Sequence, residues 1–212
     1  MGLFQKKPQV SSSAPLYTLG LNKTVLVVGL GNTGKEYDTT RHNVGFSCID
    51  EFAKLNDFGS WIEKKDLKCN FTSGTIGSTR VIAIKPNTYM NNSGESVQLA
   101  AHFYKIEPAS ILVLHDELAI DFGQIRTRHG GSDAGNNGVK SVIQHIGPDF
   151  PRIRIGIANE ISSKADKADF VLGKFTQTEQ SKLAALTREV VSIITEFIAS
   201  DKLPHDTHSF VN

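Results

Sequence analysis

Residues 24–30, TVLVVGL, are continuously apolar and rich in β-branched side chains. A strand with one wet face alternates polar and apolar residues, so an unbroken run belongs to a strand covered on both faces. SILVLHDE (110–117) is a second such strand, ending in polar residues, and TRVIAIK (79–85) is a third, stopped by Pro86. QIRTR (124–128) and RIRIGIA (152–158) alternate instead, which favours a mixed sheet over a purely parallel one. Helical patterns separate these strands. Val44, Cys48, Phe52 and Leu55 share one helical face, with Asp50, Glu51 and Lys54 on the other. Asn92 and Glu95 stand at capping-box spacing, so a helix is predicted from about Ser93; Thr176 and Glu179 repeat the spacing before a long helix through Leu183, Leu186, Val190, Ile194 and Phe197. The short helix VKSVIQHI comes after the glycine-rich loop 129–138, and residues 159–169 read as a polar surface loop. Interleaved strands and helices predict an α/β fold: a single domain over 24–212, with a twisted mixed sheet flanked by helices on both faces.

The first strand runs into Gly29, Gly31 and Gly34, which have the G-x-G-x-x-G spacing of a dinucleotide site. The context fails. KEYDTTRHN after Gly34 offers no helical face until Val44, and Asp50 and Glu51 fall within a helix, not at the end of a second strand. The glycines read as a tight turn, with Asn32 as its one polar side chain of functional reach.

In open α/β sheets, sites gather beyond the carboxyl ends of strands. Those ends carry Asn32, His42 before the first helix, TYMNNSG after Lys85, the triplet His115, Asp116 and Glu117, and Asn136 and Asn137 in the glycine loop. His42 with Asp116 is a candidate general base with its orienting carboxylate, because a carboxylate on one ring nitrogen fixes the tautomer and supports the imidazolium. Amides supply fixed dipoles for an oxyanion or a water. A serine nucleophile elbow is missing, since GGSDA has Ala134 in place of the last glycine. The His42, His115, Asp116 and Glu117 group lacks regular metal-ligand spacing.

Charge supplies one further constraint. Lys plus Arg number 23 and Asp plus Glu 22, so any nucleic-acid surface must come from local clustering. Arg126, Arg128, Lys140, Arg152 and Arg154 against Asp133 and Asp149 make such a cluster. Two cysteines without a C-x-x-C pair suit a reducing, cytoplasmic setting. No stretch approaches the roughly 20 apolar residues of a membrane span. Residues 1–23 lack the apolar core of a secretion signal and read as a flexible tail.

VVGLGNTGKEYDTTRHNVGF, KPNTYMNNSGESV, LVLHDEL, GNNGVKS, RIRIGI and FVLGKF resemble, in order, the blocks of bacterial-type peptidyl-tRNA hydrolases, over about residues 24–200. The resemblance implies an α/β monomer, without metal or cofactor, that cleaves the ester joining a peptide to the 3′ ribose of tRNA and recycles the tRNA in translation. It implies catalysis by His42 as base with Asp116 as its carboxylate. Asn32 is implied in telling N-blocked from free aminoacyl-tRNA; on chemical grounds, an Asn amide at the turn is expected to pair with the peptide amide through both its donor and its acceptor. Asn91 and Asn137 are implied as amides holding substrate and water, Tyr37, Tyr89 and Met90 as substrate-site positions, and Arg128 and Arg154 as contacts to tRNA phosphates. Thr33 departs from the usual Pro, and Asn136 from the usual His. A catalytically silent RNA-binding relative, such as an intron-splicing partner, and another ester hydrolase are the alternatives.

Overall fold

The computed structural model describes residues 23–210, so nearly all of the segment read as a tail lies outside the described residues. Eight strands form one sheet: β1 (Lys23–Gly29), β2 (Ile62–Lys64), β3 (Cys69–Ile76), β4 (Thr79–Pro86), β5 (Ile111–Asp121), β6 (Gln124–His129), β7 (Pro151–Ala158) and β8 (Thr207–Ser209), in the order β2-β3-β4-β1-β5-β7-β6-β8. The central four, β4, β1, β5 and β7, are parallel, and the outer strands pair antiparallel. The sheet is therefore mixed, as the two styles of strand predict. The continuous apolar runs occupy its middle, where Val25, Leu26, Val27 and Val28 are wholly buried.

Among the described residues, five α-helices cover the sheet: α1 (Val44–Leu55), α2 (Ser93–Tyr104), α3 (Asn137–Ile146), α4 (Lys167–Leu172) and α5 (Gln177–Ser200). Alternation along β1 splits the core into two. Val25 and Val27 pack with α1 and α5 residues such as Phe52, Val190 and Phe197. Leu26 and Val28 pack with α2 and α3 residues such as Val97 and Val142. Helices thus flank both faces.

Several local readings are corrected. The Asn92–Glu95 capping box does not form, and Glu95 pairs with Lys68 instead. Thr176–Glu179 does form one, with both reciprocal bonds. β5 runs past Glu117 to Asp121, because pairing with β7 continues across its polar end. Residues 159–169 are not all loop, since Asp166 caps α4 by accepting from the Ala168 and Asp169 N–H groups. Leu55 closes α1 at 52% exposure instead of packing inward.

Close approach, more than unusual dihedrals, explains the glycine turn. Of its three glycines, only Gly34 has a positive φ, at 122°. A Cβ on Gly29 would lie 2.6 Å from the Gly45 carbonyl oxygen, and one on Gly45 would lie 2.6 Å from the Leu30 and Leu114 carbonyl oxygens. The bare backbones let the first turn of α1 sit on the carboxyl end of β1 and against β5 at Leu114. From β1 the chain turns to the β4 side, and from β5 to the β7 side, so α1 begins at the switch point of the sheet.

Candidate active site

His42 sits in the 3-10 turn Arg41–Asn43 that leads into α1. Its Nδ1 lies 2.9 Å from Asp116 Oδ2, and the two side chains are 12% and 4% exposed. With Asp116 as a carboxylate, Nδ1 carries the proton and Nε2 is left as the basic nitrogen. The other Asp116 oxygen, Oδ1, accepts from Asn136 Nδ2 at 2.9 Å. Asn136 also donates to the Asp116 carbonyl, and its own oxygen accepts from Val139 N–H at the start of α3. Both carboxylate oxygens are therefore occupied, one by the imidazole and one by an amide locked to a helix cap.

His115 belongs to a different role. It is 2% exposed, its Nδ1 bonds the Asp116 carbonyl at 2.8 Å, and burial pushes its pKa down, against the pull of Asp116. A buried, neutral imidazole here steadies the Asp116 backbone and leaves His42 as the histidine facing the cleft.

A cleft of about 830 Å³ opens over this pair. Of the residues read from sequence, Asn32, Tyr37, His42, Tyr89, Met90, Asn91, Asp116 and Asn137 line it together. Leu118, Ala119, Val171 and Leu172 add an apolar wall. The Tyr37 and Tyr89 rings meet edge to face at 6.3 Å. Tyr89 holds φ 58°, ψ 161°, a strained conformation for a bulky residue.

Asn32 differs from the expectation. Its side-chain oxygen already accepts from Met90 N–H at 2.7 Å, so the side-chain NH₂ is the group left to the cleft. Its backbone is gripped by Asn43, which accepts from Asn32 N–H at 2.8 Å and donates to its carbonyl at 2.9 Å. Sequence reasoning passes over Asn43 and counts Asn136 only as one of the loop amides, not as the partner of Asp116. The signal for them is thin: one directly succeeds His42, and the other is the first residue of Asn-Asn-Gly.

Arg128 and Arg154 line a separate basic pocket of about 390 Å³ with Arg126 and His205. Cross-strand register sets Arg126 opposite Arg154 and Arg128 opposite Arg152, which puts four arginines on one sheet face. They are not equally free. Arg154 pairs with buried Glu117 at 3.1 Å. Arg152 is 2% exposed and donates to the Gly131, Ser132 and Pro148 carbonyls, so it braces the glycine loop. Burial, then the charges of Arg128 and Arg154, push it down to about 10. Counting Arg152 as a phosphate ligand is corrected on this ground. Among the described residues, His, Cys, Asp and Glu form no group of three or more that could hold a metal ion.

A single mixed sheet with an oriented imidazole at its switch point defines a class, the α/β proteins equipped for general-base chemistry beside an amide-lined cleft. Within that class, the chain belongs to the peptidyl-tRNA hydrolase family, whose model matches residues 26–211. A peptidyl-tRNA hydrolase of Clostridium botulinum strain Hall is 44% identical over 174 residues, covering 80% of this chain and 89% of that relative. Another, from strain Alaska E43, is 40% identical over 177 residues, covering 83% and 90%. The crystal structure of peptidyl-tRNA hydrolase from Acinetobacter baumannii superposes with a TM-score of 0.78 at 36% identity, covering 84% of this chain and 90% of that one.

Proposed function

We propose that this chain hydrolyses the ester between a peptide and the 3′ ribose of tRNA, with His42 as general base. His42 Nε2 takes a proton from water, and the resulting hydroxide adds to the ester carbonyl. Asp116 holds the imidazolium that forms. Collapse of the tetrahedral intermediate expels the ribose 3′ oxygen, which recovers the proton from His42. The amides of Asn32, Asn91 and Asn137, which line the cleft, serve as donors for the carbonyl oxygen and the water. Tyr37, Tyr89 and Met90 form the surface against which the substrate packs. Arg128, with Arg126 and Arg154, holds tRNA phosphates outside the cleft.

The observation that carries this reading is the His42–Asp116 contact at 2.9 Å inside the cleft. It favours catalysis over a silent RNA-binding role, for which an oriented imidazole has no use. The chain works as a monomer, with residues 24–212 as one catalytic domain, and its two free, buried cysteines suit a reducing cytoplasm. Among the described residues no helix is long and apolar enough to cross a membrane. Purified protein should cleave N-blocked aminoacyl-tRNA and leave free aminoacyl-tRNA largely intact. Equal cleavage of both would refute the substrate assignment.

A further inference from the structure

Arg41 precedes His42 in sequence, and no step of the proposed reaction uses its charge. It is 5% exposed. Its Nη1 donates to the Lys174 carbonyl at 2.6 Å and its Nη2 to Glu179 Oε2 at 2.8 Å. The guanidinium lies 4.4 Å from the Phe170 ring centroid and 5.4 Å from that of Phe175. Its backbone N–H donates to the Gly173 carbonyl at 3.0 Å, and Thr40 bridges Lys174 beside it. Glu179 is itself tied down: Thr176 N–H bonds Oε2 at 2.7 Å and Asn159 Nδ2 bonds Oε1 at 2.7 Å.

These partners share one location. Phe170 lies in α4, and Gly173 and Lys174 come directly after that helix. Lys167, Ala168, Val171 and Leu172 of the same helix line the cleft that His42 lines. A helix of six residues has no stability of its own, so its position depends on the contacts that grip its two ends. Asp166 caps its start. Arg41 grips Gly173 and Lys174, just past its last turn. A planar fork that bonds two acceptors while stacking on rings is a task for guanidinium, not for an ammonium.

We propose that Arg41 is a positioning residue that joins the α4 wall of the cleft to the His42 turn, so that one clamp sets both cleft shape and base placement. His42 is then held twice, through its ring by Asp116 and through its backbone by Arg41. The clamp itself stands on the contacts above; only its kinetic consequence rests on the hydrolytic reading.

The test uses Arg41→Lys, which keeps the charge and loses the fork. The folded variant should lose about ten- to a hundredfold in kcat through misplacement of the base, and KM should rise as well. Its effect on kcat/KM should combine with that of Leu172→Ala by less than the product of the two, because both act through α4. Independent sites would multiply to within about twofold. Amide hydrogen exchange reads the clamp without activity: residues 40–43 and 171–174 should lose protection together, while α3 keeps its own. Kinetics within twofold of wild type, multiplying effects, or unchanged exchange at α4 would each overturn the clamp. A wild-type protein inert toward peptidyl-tRNA would instead overturn the hydrolytic reading, and the exchange pattern would then decide the clamp alone.

Discussion

Asp116 has no exposed oxygen to spare, and that shapes the effect expected of each substitution at the site. Asp116→Asn keeps the shape but removes the charge that fixes the His42 tautomer, so kcat should fall by two decades or more with little change in melting temperature. A kcat within threefold of wild type would uncouple the two residues. Asn136→Ala frees one carboxylate oxygen and removes the α3 cap, which costs about 1 kcal/mol of stability. Its kcat should fall less than that of Asp116→Asn, because the Oδ2 bond to His42 survives; steady-state kinetics and thermal melts on both variants give the order. Asn32→Ala should narrow the ratio of kcat/KM between N-blocked and free aminoacyl-tRNA. With its oxygen engaged by Met90, the discrimination must pass through its NH₂ to a substrate carbonyl. An unchanged ratio would place selectivity elsewhere in the cleft. Sequence exposes Asn32 and His42 because a strand end and a helix start single them out, and Asp116 because polar residues break into an apolar strand. It hides Asn43, and it hides what Asn136 does, because the value of both lies in bonds to other site residues and not in chemistry of their own.

Sequence patterning catches the strands that are buried on both sides, by their unbroken apolar runs, and β6 and β7 by their alternation. β1, β4 and β5 lie in the middle of the sheet and are apolar along most of their length. β2 and β8 are three-residue edge strands with mostly exposed side chains, and pairing rather than composition creates them. β3 escapes because the alternation begun by Cys69 and Phe71 lapses at Ser73 and Thr75; beside them, the missing Cβ of Gly74 leaves room for the Phe58 ring. β7 alternates like a half-wet strand, yet Arg152 is buried by bonding loop carbonyls, a fate no periodicity reveals. That difference divides the basic face into accessible arginines and one that braces a loop. Arg128→Ala should lower tRNA affinity and reduce the slope of log affinity against log salt by about 0.7–0.9, the value of one phosphate contact. Arg154→Ala should do the same and also destabilise the fold by roughly 1–3 kcal/mol, because Glu117 is left buried without its partner. Binding titrations at several salt concentrations check both, and equal slopes in variant and wild type would move the tRNA off this face.

At the scale of the molecule, the close approach of Gly29 and Gly45 brings α1 onto the switch point, and the Arg41–Glu179 cluster ties that turn to α5. Burial alone would raise the Glu179 carboxyl; the Thr176 and Asn159 hydrogen bonds, with the charge of Arg41, outweigh it and hold the group below its ordinary 4.5. A depressed carboxyl contributes stability in full above its unfolded value and loses it as pH falls through the native one. Glu179→Gln should therefore be less stable than wild type at neutral pH and should lose less stability on acidification below about 4.5. Denaturant melts at neutral pH and at pH values below 4.5 test this, and parallel pH slopes would refute it. The central claim, that an oriented imidazole at the switch point cleaves a tRNA ester, is tested most directly by single-turnover hydrolysis of N-blocked aminoacyl-tRNA by His42→Ala, with tRNA affinity measured alongside. The rate should fall by about 10²- to 10⁴-fold at unchanged affinity. A variant that binds tRNA normally and still turns over within tenfold of wild type would contradict it.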